Sequence, residues 1–216
     1  MADAPDYWRD GYLSLPGFVA EPVARAFLSQ LKGDLDRHRV DVARLKQKSN
    51  LLQSPAVELY GLQYPPMMGF LWGMTSTIAA HVGKRLMPTY CYFRVYRQGD
   101  ICRVHSDRYS CEHSVSLMLA TSDGRPWALE MGSQHIDTPR ERADADFGDE
   151  AHSSVPMLAG DAVLYQGVHR LHGRLTPNPN RWSAHLFLHW VDADGPYAEH
   201  AFEGQSIPDV AALEVG

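Results

Sequence analysis

Three residues of this chain have the chemistry of a metal centre with open coordination positions. His105 and Asp107 stand two residues apart, and His172 follows 67 residues after His105. Two imidazoles and one carboxylate can bind one face of an iron(II) ion and leave about three of its six positions for other ligands. Open positions are what distinguish a catalytic metal site from a structural one. The pattern therefore predicts an iron site with His105, Asp107 and His172 as ligands.

A second His-x-Asp pair, His135 and Asp137, competes for the same role. About one such pair is expected by chance in a chain with 11 histidines, so the surroundings of each pair must decide between them. The first pair follows the β-branched run 89–104, whereas the second lies in a loop-like stretch only 37 residues before His172. That distance is too short for four strands of ~5–6 residues with their turns. We therefore expect His135 to be a loop residue.

Arg181 and Ser183 form a candidate anchor for a dicarboxylate. They follow the turn-forming segment 176–180 and alternate onto one face of the last predicted strand. An arginine fork matches a carboxylate in bidentate fashion, and a hydroxyl group two residues on can donate a further hydrogen bond. The alternative for Arg181 is that it is a surface arginine at a turn. Arg174, which lies two residues beyond His172 and on the same face of the strand, is the other candidate for the anchor.

Tyr92, Arg94 and Tyr96 share one face of the first predicted core strand. At least one of the two tyrosine hydroxyl groups could reach a bound dicarboxylate. The alternative is that both are ordinary sheet aromatics, because tyrosine is common in strands.

Composition limits the class of protein. A chain of 216 residues that is 44% hydrophobic can bury one sizeable core, so we expect a single domain, residues 1–216. A net charge of −6 offers no basic surface for nucleic acid. No apolar run reaches the ~18–20 residues of a membrane helix, and the N-terminus does not resemble a signal peptide. We expect a cytoplasmic protein whose cysteines, Cys91, Cys102 and Cys111, are free thiols.

The elements that must position these residues change in type along the chain. An extended run at 11–15 precedes a helix with apolar residues at Val23, Phe27, Leu31 and Leu35, and a second helix is predicted over 68–87. Turn signals every 8 to 15 residues then predict antiparallel strands. The predicted strands are 89–97, 101–105, 113–121, 127–131, 154–158, 162–166, 171–175 and 182–190.

Eight strands after two helices predict a mainly β (α+β) protein with a double-stranded β-helix core, the cupin-like jelly roll. Residues 1–88 would form a helical support, 89–191 the core and 192–216 a C-terminal tail. Four side chains are candidate pocket walls or simply core residues: Leu117, Trp127, Leu129 and Met131.

The segment 134–153 interrupts the strand rhythm. It carries six acidic and two basic residues, so it contributes −4 of the net −6. It is either a solvated acidic surface loop or a lid over the site that attracts a cationic substrate.

The ensemble of motifs resembles the iron(II)/2-oxoglutarate-dependent dioxygenase superfamily, over nearly the whole chain. The motifs are Tyr96-x-x-Gly99-x-x-Cys102-x-x-His105-x-Asp107, then Gly160-Asp161-Ala162-Val163-Leu164-Tyr165, then His172 and Arg181; the opening GYLSLPGFVAEP also resembles the phytanoyl-CoA and prolyl hydroxylase branches.

The resemblance implies iron(II) held by His105, Asp107 and His172, with 2-oxoglutarate and O2 as cosubstrates and Arg181 and Ser183 on the distal carboxylate. Its spacing selects His172 as the distal ligand and leaves His169 as the fallback. The implied reaction is hydroxylation of an unactivated C–H bond, in a small molecule or a protein side chain, with release of succinate and CO2.

Three other functions stay open at this point. A cupin-like metalloprotein could bind or isomerise a ligand without 2-oxoglutarate, although cupins normally show His-x-His with a nearby glutamate. A zinc ion could be held by Cys102, His105, Cys111 and His113, whose ligand types suit zinc. A jelly roll without catalysis could serve protein interaction. Neither the substrate nor the oligomeric state can be inferred from the residues.

Overall fold

The computed structural model describes residues 4–204, which form three α-helices and two antiparallel sheets. The helices are α1 (Ala4–Asp10), α2 (Glu21–Arg37) and α3 (Pro66–Val82). The strands are β1 (Tyr12–Leu15), β2 (Lys46–Gln47), β3 (Ala56–Tyr60), β4 (Leu86–Arg97), β5 (Cys102–His105), β6 (His113–Thr121), β7 (Leu129–His135), β8 (His152–Val155), β9 (Ala162–Tyr165), β10 (Arg170–Arg174) and β11 (Trp182–Asp192).

The chain distributes its later strands between the two sheets. The larger sheet has the order β1-β9-β6-β11-β4-β3-β2, and the smaller has the order β5-β10-β7-β8. Strands β4, β6, β9 and β11 therefore form the middle of the larger sheet, while the strands between them in sequence form the smaller one. All the pairings are antiparallel, which confirms the prediction of a mainly β protein with helices at its N-terminal end.

Each of the eight predicted core strands has a counterpart among β4 to β11. The predicted strand 113–121 has the same bounds as β6, and the other seven differ at one or both ends. The largest shift is in β7, which was predicted to end at residue 131 and continues to His135. The prediction of His135 as a loop residue is thus wrong, because Gly132 and Met131 still pair with β8 and carry the strand onward. The interruption consists of residues 136–151, between β7 and β8.

The N-terminal part is more than the helical support that was predicted, because β1, β2 and β3 extend the larger sheet at both edges. Strand β3 was missed, since residues 41–66 are polar and interrupted by proline, yet Val57 pairs with Val95 of β4. Helix α3 is shorter than the predicted 68–87. Gly83 ends it with a left-handed φ of 76° and donates its N–H to the carbonyl of Ala79, a conformation that favours glycine.

Alternation along the strands of the larger sheet divides the buried side chains between two cores. One core lies between this sheet and the helices, and Leu117 of β6 belongs to it. Of the two interpretations of Leu117, pocket wall or core residue, the second is therefore correct, because its side chain points to the helix face of the sheet. Its neighbour Met118 faces the smaller sheet instead, in a second core together with Trp127, Leu129 and Met131.

The chain continues past β11 into a short 3-10 segment, Ala198–Gly204. The predicted C-terminal tail, 192–216, begins at the last residue of β11, and residues 205–216 lie outside the described residues. Between residues 4 and 204, no helix has both the length and the apolar character needed to cross a bilayer. All three cysteines are free and buried, as predicted.

Candidate active site

His105, Asp107 and His172 lie together at one end of the space between the two sheets. Their possible ligand atoms are all within 4.8 Å of one another. Nε2 of His105 is 3.6 Å from one carboxylate oxygen of Asp107, and Nε2 of His172 is 3.5 Å from the other. The three residues selected from their spacing in the sequence are therefore brought together by the fold, in the arrangement expected of a 2-His-1-carboxylate centre.

The pairing of β5 with β10 places the two histidines. His172 is opposite His105 in the antiparallel register, and their ring centroids are 4.3 Å apart. Asp107 follows β5 in a loop, where its N–H donates to the carbonyl of Gly167 over 2.8 Å. A Cβ atom on Gly167 would lie 2.6 Å from a carboxylate oxygen of Asp107 and 2.5 Å from the carbonyl oxygen of Cys111. Only glycine at position 167 leaves room for the Asp107 carboxylate.

Backbone carbonyl groups orient both imidazoles. Nδ1 of His105 lies 2.8 Å from the carbonyl oxygen of Arg103, and Nδ1 of His172 lies 3.0 Å from that of Arg170. In the neutral rings, each Nδ1–H donates to its carbonyl and each Nε2 keeps its lone pair for the centre. Such partners fix the tautomer and the ring orientation of metal-binding histidines.

The protonation states also suit a cation. Burial, followed by the proximity of His172, lowers the pKa of His105. Burial raises the pKa of Asp107, but His172 and His105 outweigh this effect and hold the pKa well below its usual range. The site therefore offers a neutral imidazole and an ionised carboxylate at neutral pH, which are the forms that bind a metal ion.

A cavity between the sheets continues from this centre. It has about 320 Å³ of empty volume including open solvent at its mouth, of which about 20 Å³ can hold the centre of a water molecule. The predicted residues Tyr92, Tyr96 and Arg174 all line it. The lining consists of Tyr92, Arg94, Tyr96, Cys102, His105, Asp107, Leu129, Tyr165, His172, Gly173, Arg174 and Phe187. A ligand of the size of 2-oxoglutarate would require some of these side chains to move.

The structure places Arg181 and Ser183 outside this lining. The Arg181 side chain is 73% exposed, and its Nε lies 3.2 Å from a carboxylate oxygen of Asp123. Ser183 is buried, where its hydroxyl group accepts a hydrogen bond from Asn178 and contacts Nε2 of His185. A role for Arg181 and Ser183 at a dicarboxylate stays a prediction.

A wider opening leads from the centre to the surface, and the interruption between β7 and β8 forms one side of it. The residues that this segment contributes to the opening are Arg140, Glu141, Arg142 and Ala143. Arg140 is paired with Asp144 at 2.7 Å. The segment is acidic overall, but the charged residues that it contributes to the opening are two arginines and one glutamate. The charge at the opening itself therefore does not favour a cationic substrate.

Two residues near the centre, His189 and Glu58, were not predicted, and a third, Cys111, was considered only as a zinc ligand. His189 of β11 stacks on Tyr90 at 4.5 Å, and its Nε2 has no hydrogen-bond partner within residues 4–204. Cys111 and His189 each have a ligand atom within 4.8 Å of Asp107. Glu58 of β3 is ion-paired with Arg94 of the cavity wall. Alternation along β11 from Ser183 could have indicated that His189 faces the space between the sheets. Nothing in the sequence linked Glu58 to Arg94.

The competing ligand candidates lie elsewhere. His169 precedes β10 and stacks on His135 at 4.8 Å, and the side chains of His135 and Asp137 are exposed. None of these three residues belongs to a group of possible metal ligands in the described part of the chain. The four zinc candidates are not brought together either, since His113 is bonded to the Tyr7 hydroxyl group of α1.

Comparisons with known proteins agree with the fold. No family model and no curated protein matches the chain. Solved structures do match, and they confirm the suspected resemblance at the level of the fold.

One similar structure is the non-haem α-ketoglutarate-dependent carbocyclase SnoK of nogalamycin biosynthesis, with 13% identity, a TM-score of 0.63 and coverage of 88% of this chain and 83% of that chain. A prolyl-4-hydroxylase of Pseudomonas putida has 18% identity, a TM-score of 0.56 and coverage of 87% and 97%. The epimerase SnoN, solved with Fe3+, α-ketoglutarate and nogalamycin RO, has 15% identity, a TM-score of 0.56 and coverage of 88% and 82%.

Proposed function

We propose that this protein is an iron(II)- and 2-oxoglutarate-dependent oxygenase. The observation that carries the proposal is the convergence of His105, Asp107 and His172 at the end of a cavity between two antiparallel sheets. The comparison structures support it, because they combine the same fold with iron or α-ketoglutarate in their descriptions. The proposal includes His105, Asp107 and His172 as the iron ligands, and 2-oxoglutarate and O2 as the cosubstrates.

The proposed scaffold is a double-stranded β-helix made of β4 to β11. Four of its strands, β4, β6, β9 and β11, lie in the larger sheet, and the other four, β5, β7, β8 and β10, form the smaller one. Residues 1–216 would then form one domain, in which α1 to α3 and β1 to β3 support the larger sheet. In this scaffold His105 lies on β5, His172 lies on β10, and Asp107 lies in the loop after β5.

The residues present fit the ion. His105 and His172 offer imidazoles that backbone carbonyl groups orient, and Asp107 offers a carboxylate. Two nitrogens and one oxygen suit non-haem iron(II). When bound, iron with 2-oxoglutarate and O2 supplies the oxidising power for a C–H bond while the cosubstrate becomes succinate and CO2. The part of the protein is to hold the ligands, exclude water and orient the substrate.

We propose hydroxylation of a small molecule or of a protein side chain as the reaction. The opening beside the cavity is lined by tyrosines 60, 90 and 92, which could pack against a flat or apolar part of a substrate. Because the similar structures include an epimerase and a carbocyclase as well as a hydroxylase, the product of the reaction has to be determined directly.

The proposal is tested without oxygen and without a known substrate. Iron(II) and then 2-oxoglutarate are added to metal-free protein, and the visible charge-transfer band of the chelate is recorded. We expect a band in the parent protein and none in His172→Ala or Asp107→Ala, because each change removes one of three ligands. His169→Ala is the matched control, since it removes a histidine three residues away that is not in the cluster, and it should keep the band.

A parent protein that binds iron(II) but gives no band with 2-oxoglutarate would contradict the proposal. Loss of the band in His169→Ala, with the band kept in His172→Ala, would overturn the ligand assignment.

A further inference from the structure

Three arginines could hold the distal carboxylate of 2-oxoglutarate, and the structure gives them different surroundings. Arg181 is at the surface and paired with Asp123. Arg94 lines the cavity, but its guanidinium is paired with Glu58 at 2.7 Å, and both side chains are less than 10% exposed. Arg174 also lines the cavity and is 1% exposed.

Arg174 is distinguished by a buried charge that no carboxylate contacts. Within residues 4–204, no carboxylate oxygen lies within 4.0 Å of its guanidinium. Its hydrogen bonds go to neutral groups: the carbonyls of Trp127 and Ala128, the Ser116 hydroxyl group and the Met157 sulfur. Glu130 is nearby, but its carboxylate accepts hydrogen bonds from Leu175 and Thr176.

A buried cation without an anionic partner is costly, because the interior replaces only part of its hydration. The indole ring of Trp127, 4.6 Å from the guanidinium, compensates in part. The imidazole of His185 lies next to the same indole, at a centroid distance of 5.7 Å. Its Nδ1 is buried and has no hydrogen-bond partner in the part of the chain that the structure describes. The cavity wall thus holds an unneutralised charge at Arg174, and the unused nitrogen of His185 lies close to it, beside the same indole ring.

We propose that Arg174, and not Arg181, binds the distal carboxylate of 2-oxoglutarate. This inference rests on the proposed function. Arg174 follows His172 by two residues on β10, a separation of about 6.6 Å along a strand, comparable to the length of a five-carbon dicarboxylate. The charges also balance: iron(II), ionised Asp107 and Arg174 sum to +2, and Arg94 with Glu58 adds zero. A dianion that joins the metal to Arg174 neutralises the cavity.

The test compares two ligands of equal length, 2-oxoglutarate and 2-oxovalerate, which lacks the distal carboxylate. Both are titrated anaerobically into the iron(II) protein, and their dissociation constants are read from the chelate band. In the parent, 2-oxoglutarate should bind about 100-fold more tightly, because a buried charge-assisted pair is lost with 2-oxovalerate. In Arg174→Met this preference should disappear, while 2-oxovalerate still binds. Arg181→Met is the matched control and should keep the parent's preference.

Loss of the preference in Arg181→Met, with the preference retained in Arg174→Met, would overturn the inference. If Arg174→Met does not fold, Arg174→Lys replaces it: lysine keeps the charge but not the fork, so the affinity for 2-oxoglutarate should fall, and an unchanged affinity would contradict the inference. A parent protein without any chelate band would instead refute the proposed function itself, which separates the two failures.

Discussion

The two faces of the larger sheet bury different kinds of side chain. Along β11, Leu186 and Leu188 point toward the helices and join a core of apolar residues. On the other face, His185 and His189 are buried toward the smaller sheet, and each has a ring nitrogen without a partner within residues 4–204. The helix side is held mainly by apolar packing, whereas the inter-sheet side keeps two imidazole nitrogens that have no hydrogen-bond partner among the described residues.

This difference indicates where stability and binding reside. Apolar burial on the helix side contributes roughly 25 cal/mol per Å2 of buried surface and needs no ligand. Buried charges and imidazoles between the sheets cost free energy unless they are paired. A sheet can hold both regions because neighbouring residues of a strand point in opposite directions.

The largest effect on stability is expected on the helix side. Leu186→Ala removes a fully buried side chain from the apolar core, so the free energy of unfolding should fall by about 2–5 kcal/mol. Urea unfolding measures this loss. The affinity of the folded, iron-loaded variant for 2-oxoglutarate should stay at the parent value. A weakened affinity with unchanged stability would show that the two faces are not separate in function.

A smaller loss of stability is expected on the inter-sheet side from Glu58→Gln. The change removes the partner of Arg94 in a buried pair and leaves the arginine charge uncompensated, which should cost about 3 kcal/mol in the ligand-free protein. Thermal unfolding with and without 2-oxoglutarate measures it, and the dianion should restore part of the loss. Equal losses of stability with and without 2-oxoglutarate would mean that the unpaired Arg94 does not interact with the dianion in the cavity. The exposed Lys32 to Asp36 pair of α2 supplies the control, Asp36→Asn, which should change little.

The smallest effect is expected on the pH dependence of stability. It comes from His113, a buried polar side chain on the otherwise apolar helix side. His113 of β6 is buried against Tyr7, and burial lowers its pKa from 6.5 to about 3. Between these values the unfolded chain binds a proton that the folded protein does not, so stability falls as the pH falls below 6.5. At about 1.4 kcal/mol per pH unit, the His113 contribution to this loss is about 2 kcal/mol at pH 5.

The measurement is urea unfolding of the parent and of His113→Gln at pH 7 and pH 5. Glutamine keeps an acceptor for the Tyr7 hydroxyl group but does not titrate, so the variant should lose about 2 kcal/mol less than the parent on acidification. An identical pH dependence of stability in both proteins would show that folding does not lower the pKa of His113.

Much of the strand succession was predictable because alternation and turn residues act locally. The eight core strands and both longer helices were located in this way, and the errors fell at their ends, as at Gly83 and His135. Strand β3 could not be predicted, because Ala56–Tyr60 becomes a strand by pairing with β4, a partner about 35 residues away in the sequence.

The sequence by itself determined which residues could bind a metal, since imidazole and carboxylate chemistry and the spacing of His105, Asp107 and His172 are properties of the chain. Only the tertiary structure decided the surroundings of that set. Among the described residues, 4–204, it left Arg174 without a carboxylate partner, joined Arg94 to Glu58 and turned Arg181 to the surface. The reason is physical: whether a charge is buried, paired or free depends on atoms that packing brings together from distant parts of the chain.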